Sequence, residues 1–222
     1  MIKCSISCFL GIFNCILKIF IDLLIVLNKI KGVLQDAISM RNTPIKNTPS
    51  AYSLITRLLH WGMAVLILSV LGLGFIMTRL SPSDTKTAFY LFHKAIGFSI
   101  LLLVPLRFGW YLLTSQPPLP KDLPTWQHFA ARFNIKLLYG LMFIMPLSGT
   151  LMSLLGGRPI NFFYLFDIPA LFTKNPLGAA PYIVHIWVAY LFAAAIALHI
   201  GAALYHHFVR RDAVLQRMIW KS

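Results

Sequence analysis

The sequence predicts an all-α membrane protein: a four-transmembrane-helix bundle, plus an N-terminal extra helix that either spans the bilayer or lies on it. Three observations predict it. Of 222 residues, 58% are apolar and only 12% charged, against about 25% charged in a soluble domain. The apolar residues include four runs long enough to cross a bilayer core, which takes about 20 residues. The 20 Lys and Arg outnumber 6 acidic residues, all Asp, and most sit at the ends of those runs. Basic residues on one face of a polar domain would point to nucleic acid. Placed at the ends of apolar runs they are instead the signature of a membrane protein, whose partner is lipid. The same composition excludes an ordinary soluble globule and a disordered chain.

The four spans are expected at Leu58–Thr78, Phe89–Leu113, Leu137–Leu155 and Tyr182–Tyr205. Polar or Pro-containing segments separate them: SPSDTKT, SQPPLPKDLPTWQ, and a longer loop from Gly156 to Pro181. Four spans put both ends of the bundle on one side. That side carries Arg41, Lys46, Arg57, Lys121, Arg132, Lys136, Arg210, Arg211, Arg217 and Lys221, and the other carries Arg79, Lys86, Lys94, Arg158 and Lys174. Ten against five places the termini in the cytoplasm.

Residues 1–39 differ from the rest and form a separate hydrophobic extension. They hold all three cysteines (Cys4, Cys8, Cys15), which make no metal-binding spacing. Ser5–Asn28 is apolar enough to span, but Asn14, Lys18 and Asp22 recur every four residues along one face. Such groups are costly in lipid unless paired, as Lys18 and Asp22 could be. A fifth span and an interfacial helix are therefore both open. A signal peptide is disfavoured by the lack of a small-residue cleavage site, and translation beginning at Met40 is a further reading.

Chemistry is signalled by histidine. Of seven, His60, His93, His185 and His199 lie within spans, where an ionisable ring normally faces the bundle interior with a partner. His185 and His199 are 14 residues apart, so they point to nearly the same face and stand about 21 Å apart along the axis. His60 is level with His199, and His93 with His185. Two layers result, each with two histidines on different helices. Zinc wants three or four ligands at one depth. Two facing imidazoles instead suit a six-coordinate haem iron, so the core is expected to hold haem. Gly97, one turn after His93, leaves room for a flat macrocycle. Arg107 shares the face of His93 but lies near the other layer, where a haem propionate would answer its charge. Snorkelling is the competing account for Arg107, helix packing for Gly97, and Trp61 and Trp110 read as interfacial anchors.

These residues resemble those of the bacterial cytochrome b561 family, small di-haem four-helix proteins of the inner membrane. The resemblance runs over residues 48–220. It is carried by YSLITRLLHW, LFHKAIGFSILLLVPLR, the GGRPINFFYLFDIP loop, and HIWVAYLFAAAIALHIGAALYHHFVRRD. It implies two haem b groups with axial ligands His60 with His199 and His93 with His185, the pairs that the depth arithmetic gives. Many relatives have further histidines where this chain reads AARFNIKLLYG; these are not the ligands. The resemblance also implies electron exchange with ubiquinone on the cytoplasmic side and, for one type, oxidation of superoxide on the periplasmic side. Lys94 and Arg158 could steer the anion, with lipid headgroup contacts as the competing account. Arg57, Trp61 and His206, the last two turns beyond His199, could meet the quinone, with membrane-surface anchoring as the competing account. His128 is expected in a solvated loop.

Rival readings are a haem b electron-transfer or anchor subunit serving a partner dehydrogenase or hydrogenase, a haem-free carrier relaying protons through histidine, and a purely structural anchor.

Overall fold

The computed structural model describes residues 46–173 and 176–219, together with Lys18 and Ile25. The expected N-terminal helix, its cysteines and Lys174 lie outside the described residues. Four long helices dominate: α1 Leu54–Met77, α2 Asp84–Leu113, α3 Thr125–Leu155 and α4 Ala179–Tyr205. Each is long and apolar enough to cross a membrane. The chain is a multi-pass membrane protein.

Helix starts are set by local chemistry, and all four precede the expected spans, α2 and α3 by the most. Ser53 caps α1, its side chain accepting from the Thr56 amide at 3.3 Å. In SPSDTKT, expected as loop, Ser83 accepts from the Lys86 amide at 3.2 Å and Asp84 occupies the first turn. A Ser cap followed by an acid is a strong start signal, so α2 begins five residues before the apolar run. α3 likewise begins at Thr125, directly after Pro124, and takes in His128, which is part-buried in a helix rather than solvated in a loop.

The Gly156–Pro181 segment, expected as loop, contains a hairpin. Ile160–Phe162 (β1) pairs antiparallel with Phe166–Ile168 (β2), Ile160 opposite Ile168. Ile160 is buried at 1% exposure, and Phe162 meets Phe98 of α2 with ring centroids 6.0 Å apart. The hairpin thus closes one end of the bundle, the hairpin end.

The opposite, termini end is closed by the chain after α4. A π-helical turn, His206–Arg210, ends at Arg211, whose φ of 56° is left-handed and stops the helix. A short helix, α5 Gln216–Ile219, follows. Its backbone carbonyls accept from Tyr52 N, Trp61 Nε1 and Arg57 Nη1, while Arg217 donates to the Pro118 carbonyl at 2.7 Å. Trp110, expected as an interfacial anchor, is turned inward at 7% exposure and donates to Thr56 Oγ1 at 2.9 Å.

In the bundle, α1 packs on α2, α2 on α3, and α3 on α4. Against α1 and α2, by contrast, the α4 backbone stands more than 8 Å away almost everywhere. Packed helices lie about 8–10 Å apart between axes and interdigitate, so this standoff leaves a slot on one side of α4 that side chains occupy. At mid-depth the slot is filled by a single core: Met63, Ile67, Ile100, Val104, Leu141, Met142, Phe192 and Ala195.

Candidate functional site

The four intramembrane histidines face one another across that slot. On the termini side His60 of α1 and His199 of α4 have ring centroids 6.2 Å apart. On the hairpin side His93 of α2 and His185 of α4 are 6.1 Å apart. Two imidazoles bound on opposite sides of one metal at about 2 Å, each ring centre about 1.1 Å behind its nitrogen, stand about 6 Å apart. Both layers have that spacing. Among the described residues no three His, Cys, Asp or Glu side chains gather to hold a metal, and each layer brings two histidines together.

The layers differ in how the rings are held. His93 Nδ1 lies 3.0 Å from the Val70 carbonyl, and His185 Nδ1 lies 3.1 Å from the Met145 carbonyl and 3.2 Å from Ser148 Oγ. A carbonyl only accepts, so both rings donate from Nδ1 and keep the Nε2 lone pair free. In the termini layer Arg107 Nη2 donates to His60 Nδ1 at 2.9 Å. A guanidinium has no acceptor, so a neutral His60 then carries its proton on Nε2. The donors suit a bis-histidine haem in the hairpin layer as they stand, and in the termini layer once Arg107 lets go.

Arg107 has the means to do so. Its Nε is buried with no hydrogen-bond partner, and its guanidinium lies 5.8 Å from the centre of the Tyr139 ring. An orphaned cationic donor at this depth fits an anion such as a propionate. At Gly97 an added Cβ would meet no atom within 4 Å, so that face of α2 is open.

The remaining expected residues divide between the two ends. At the hairpin end Lys94 Nζ donates to the Pro159 carbonyl at 3.1 Å. Arg158 follows α3, its amide bonded to the Ser153 carbonyl at 2.9 Å and its own carbonyl accepting from Ser153 Oγ. At the termini end Arg57 and Trp61 bond the carbonyls of α5, and Arg57 Nε is buried without a partner. His206 Nδ1 meets Asp212 Oδ2 at 2.5 Å.

Asp212 is a site residue that sequence reading missed. Burial opposes its ionisation, but hydrogen bonds from His206, the Val214 amide and Arg210 outweigh it and hold the carboxyl below its usual pKa. Arg210 also pairs with Asp122 from the α2–α3 loop. No spacing rule exposes these pairs, because the chain reverses between them. Ser148 and the carbonyls of Val70 and Met145 were missed for a similar reason: their role is set by which helix faces them.

The comparisons with known proteins identify the family. The sequence profile of the family described as Prokaryotic cytochrome b561 matches residues 51–221. Cytochrome b561 homolog 2 of Escherichia coli (strain K12) is 34% identical over 184 residues, 79% of this chain and 95% of the relative. Cytochrome b561 homolog 1 of the same organism is 26% identical over 165 residues, 72% and 92% of the respective chains. The chain belongs to the prokaryotic cytochrome b561 family, and is a membrane cytochrome of the kind that transfers electrons through haem.

Proposed function

We propose that this protein carries electrons across the bacterial inner membrane between two haem b sites, one held by His93 with His185 and one by His60 with His199. Haem b, when bound, cycles between Fe(II) and Fe(III), taking or giving one electron at a time. The observation that carries the reading is the equal spacing of the two histidine pairs, 6.1 and 6.2 Å. Phe192 and the side chains around it keep water from the path between the layers. Arg107 holds an anionic group beside the His60 layer.

With the termini cytoplasmic, as the basic residues favour, the hairpin end faces the periplasm. Lys94 and Arg158 there make a cationic mouth for a small anionic donor. With superoxide as donor, two superoxide ions give two electrons and leave as oxygen. One ubiquinone takes the two electrons and two protons at the termini end and becomes the quinol. Asp212 fixes Nδ1 of His206 as a donor, so a neutral ring presents Nε2 as an acceptor, the polarity a quinol hydroxyl needs. Trp61 and Arg57 form the wall of that site together with α5.

A reduced-minus-oxidised spectrum of the purified protein tests the reading. Split b-type bands and two haems per chain are expected. His93→Ala or His185→Ala should remove one haem and spare the other, and His60→Ala or His199→Ala should do the converse. Two haems retained in all four variants would sink the assignment. Rapid mixing of superoxide with oxidised protein and quinone tests the donor, and reduction no faster than in a haem-free control would eliminate it.

A further inference from the structure

Glycine occupies the same place beside both hairpin-layer histidines. His93 bonds the carbonyl of Val70, and four residues on is Gly74; His185 bonds the carbonyl of Met145, and four residues on is Gly149. In a helix each Cβ leans toward the N-terminus, so the side chain of residue i+4 lies over the turn that contains the carbonyl of residue i. A glycine there uncovers the carbonyl. A Cβ built on Gly74 would lie 3.1 Å from His93 Cε1, and one built on Gly149 would lie 2.8 Å from His185 Cε1 and 3.1 Å from its Nδ1. The ring fills the volume a side chain would take. At Gly62 and Gly201, each two residues from a histidine of the other layer, an added Cβ would meet no atom within 4 Å, and Arg107 bonds His60 there instead.

We propose that Gly74 and Gly149 are positioning residues for the hairpin-layer metal site. Each opens one carbonyl on a neighbouring helix so that a histidine donates from Nδ1 and presents Nε2 to the slot. The inference rests on the haem reading above. A hydrogen bond from the ring nitrogen that faces away from the metal fixes both tautomer and ring orientation, and losing one costs about 10- to 100-fold in metal affinity. A methyl group at either glycine displaces the ring from its carbonyl, and the backbone need not move, because the obstructing atom belongs to a side chain. The larger effect belongs to Gly149, where the approach is closer.

The test uses the intact membrane protein with native haem. Wild type, Gly74→Ala, Gly149→Ala and His93→Ala are compared by haem-to-protein ratio, by redox titration and by low-temperature electron paramagnetic resonance of the oxidised protein. His93→Ala defines which component is the hairpin-layer haem. In Gly149→Ala that component should bind at least 10-fold more weakly, and what remains should show an altered low-spin signal and potential. The termini-layer component should keep its potential and signal, which shows the bundle is folded. Gly74→Ala should change the same component by less, and it decides alone should Gly149→Ala fail to accumulate. Two components indistinguishable from wild type overturn the proposal, as does equal loss of both in Gly74→Ala. A wild type without haem overturns the haem reading itself, a different result from a haem-loaded wild type with unaffected glycine variants.

Discussion

Arg107 donates to Nδ1 of His60 across 2.9 Å, tying α2 to α1 within the termini layer. That bond and iron ligation through Nε2 exclude each other in a neutral ring, because the first places the ring proton where the second needs a lone pair. Were this layer to hold haem, the guanidinium would be freed toward an anion, and its charge would stay beside the group.

A nearby cation stabilises the form that has gained an electron. Arg107→Gln should lower the midpoint potential of the termini-layer haem by about 60 mV, a tenfold shift for a one-electron couple. The hairpin-layer haem should be unchanged. A redox titration, with His199→Ala marking the component, checks this; equal shifts in both would refute it.

Phe192 lies seven residues from each histidine of α4 and is 4% exposed in the mid-depth core. Phe192→Ala should destabilise the bundle by about 3–5 kcal/mol through the cavity it leaves in that core. Thermal unfolding in detergent reads the loss. Both haem spectra should survive below the lowered transition.

At the hairpin end, Lys94→Gln with Arg158→Gln should slow superoxide-driven reduction roughly tenfold at low ionic strength. The difference should shrink as salt rises and the Debye length falls to about 3 Å near 1 M. Stopped-flow rates at several salt concentrations test it, and a difference independent of salt would count against steering.

The link between α4 and α5 should be pH-dependent in one direction. Asp212 has a folded pKa below its ordinary value. Its contribution is therefore fully present above the unfolded pKa of about 3.9, and is lost as pH falls through the lower folded value. Hydrogen exchange over residues 206–219, corrected for its intrinsic pH dependence, should rise below pH 4. Asp212→Asn should show the raised exchange already at pH 7.

Thr56 accepts from Trp110 Nε1 at 2.9 Å and donates to Asn47 Oδ1 at 2.8 Å. Thr56→Val leaves a buried indole N–H without an acceptor, at a cost of about 1–3 kcal/mol. A lower unfolding temperature with both haems retained is the expected result.

Four spans, two histidine layers and the family were legible in the residues themselves. Hydrophobic run length fixes whether a helix crosses a bilayer, and the 14-residue spacing of His185 and His199 fixes their shared face and separation. Both are properties of one segment. The earlier starts of α2 and α3 were also written locally, in Ser83–Asp84 and Pro124, but the long apolar runs after them masked the signal. Other features depended on which helix stood opposite. The carbonyls facing His93 and His185, the glycines that uncover them, the Arg107–His60 bond and the His206–Asp212 pair join positions 6 to 47 residues apart. A backbone carbonyl leaves no mark in a sequence, and a glycine that makes room for another helix's side chain reads like one that merely helps helices pack. Only the tertiary structure, by placing α4 away from α1 and α2 yet close on α3, decided which atoms hold each ring.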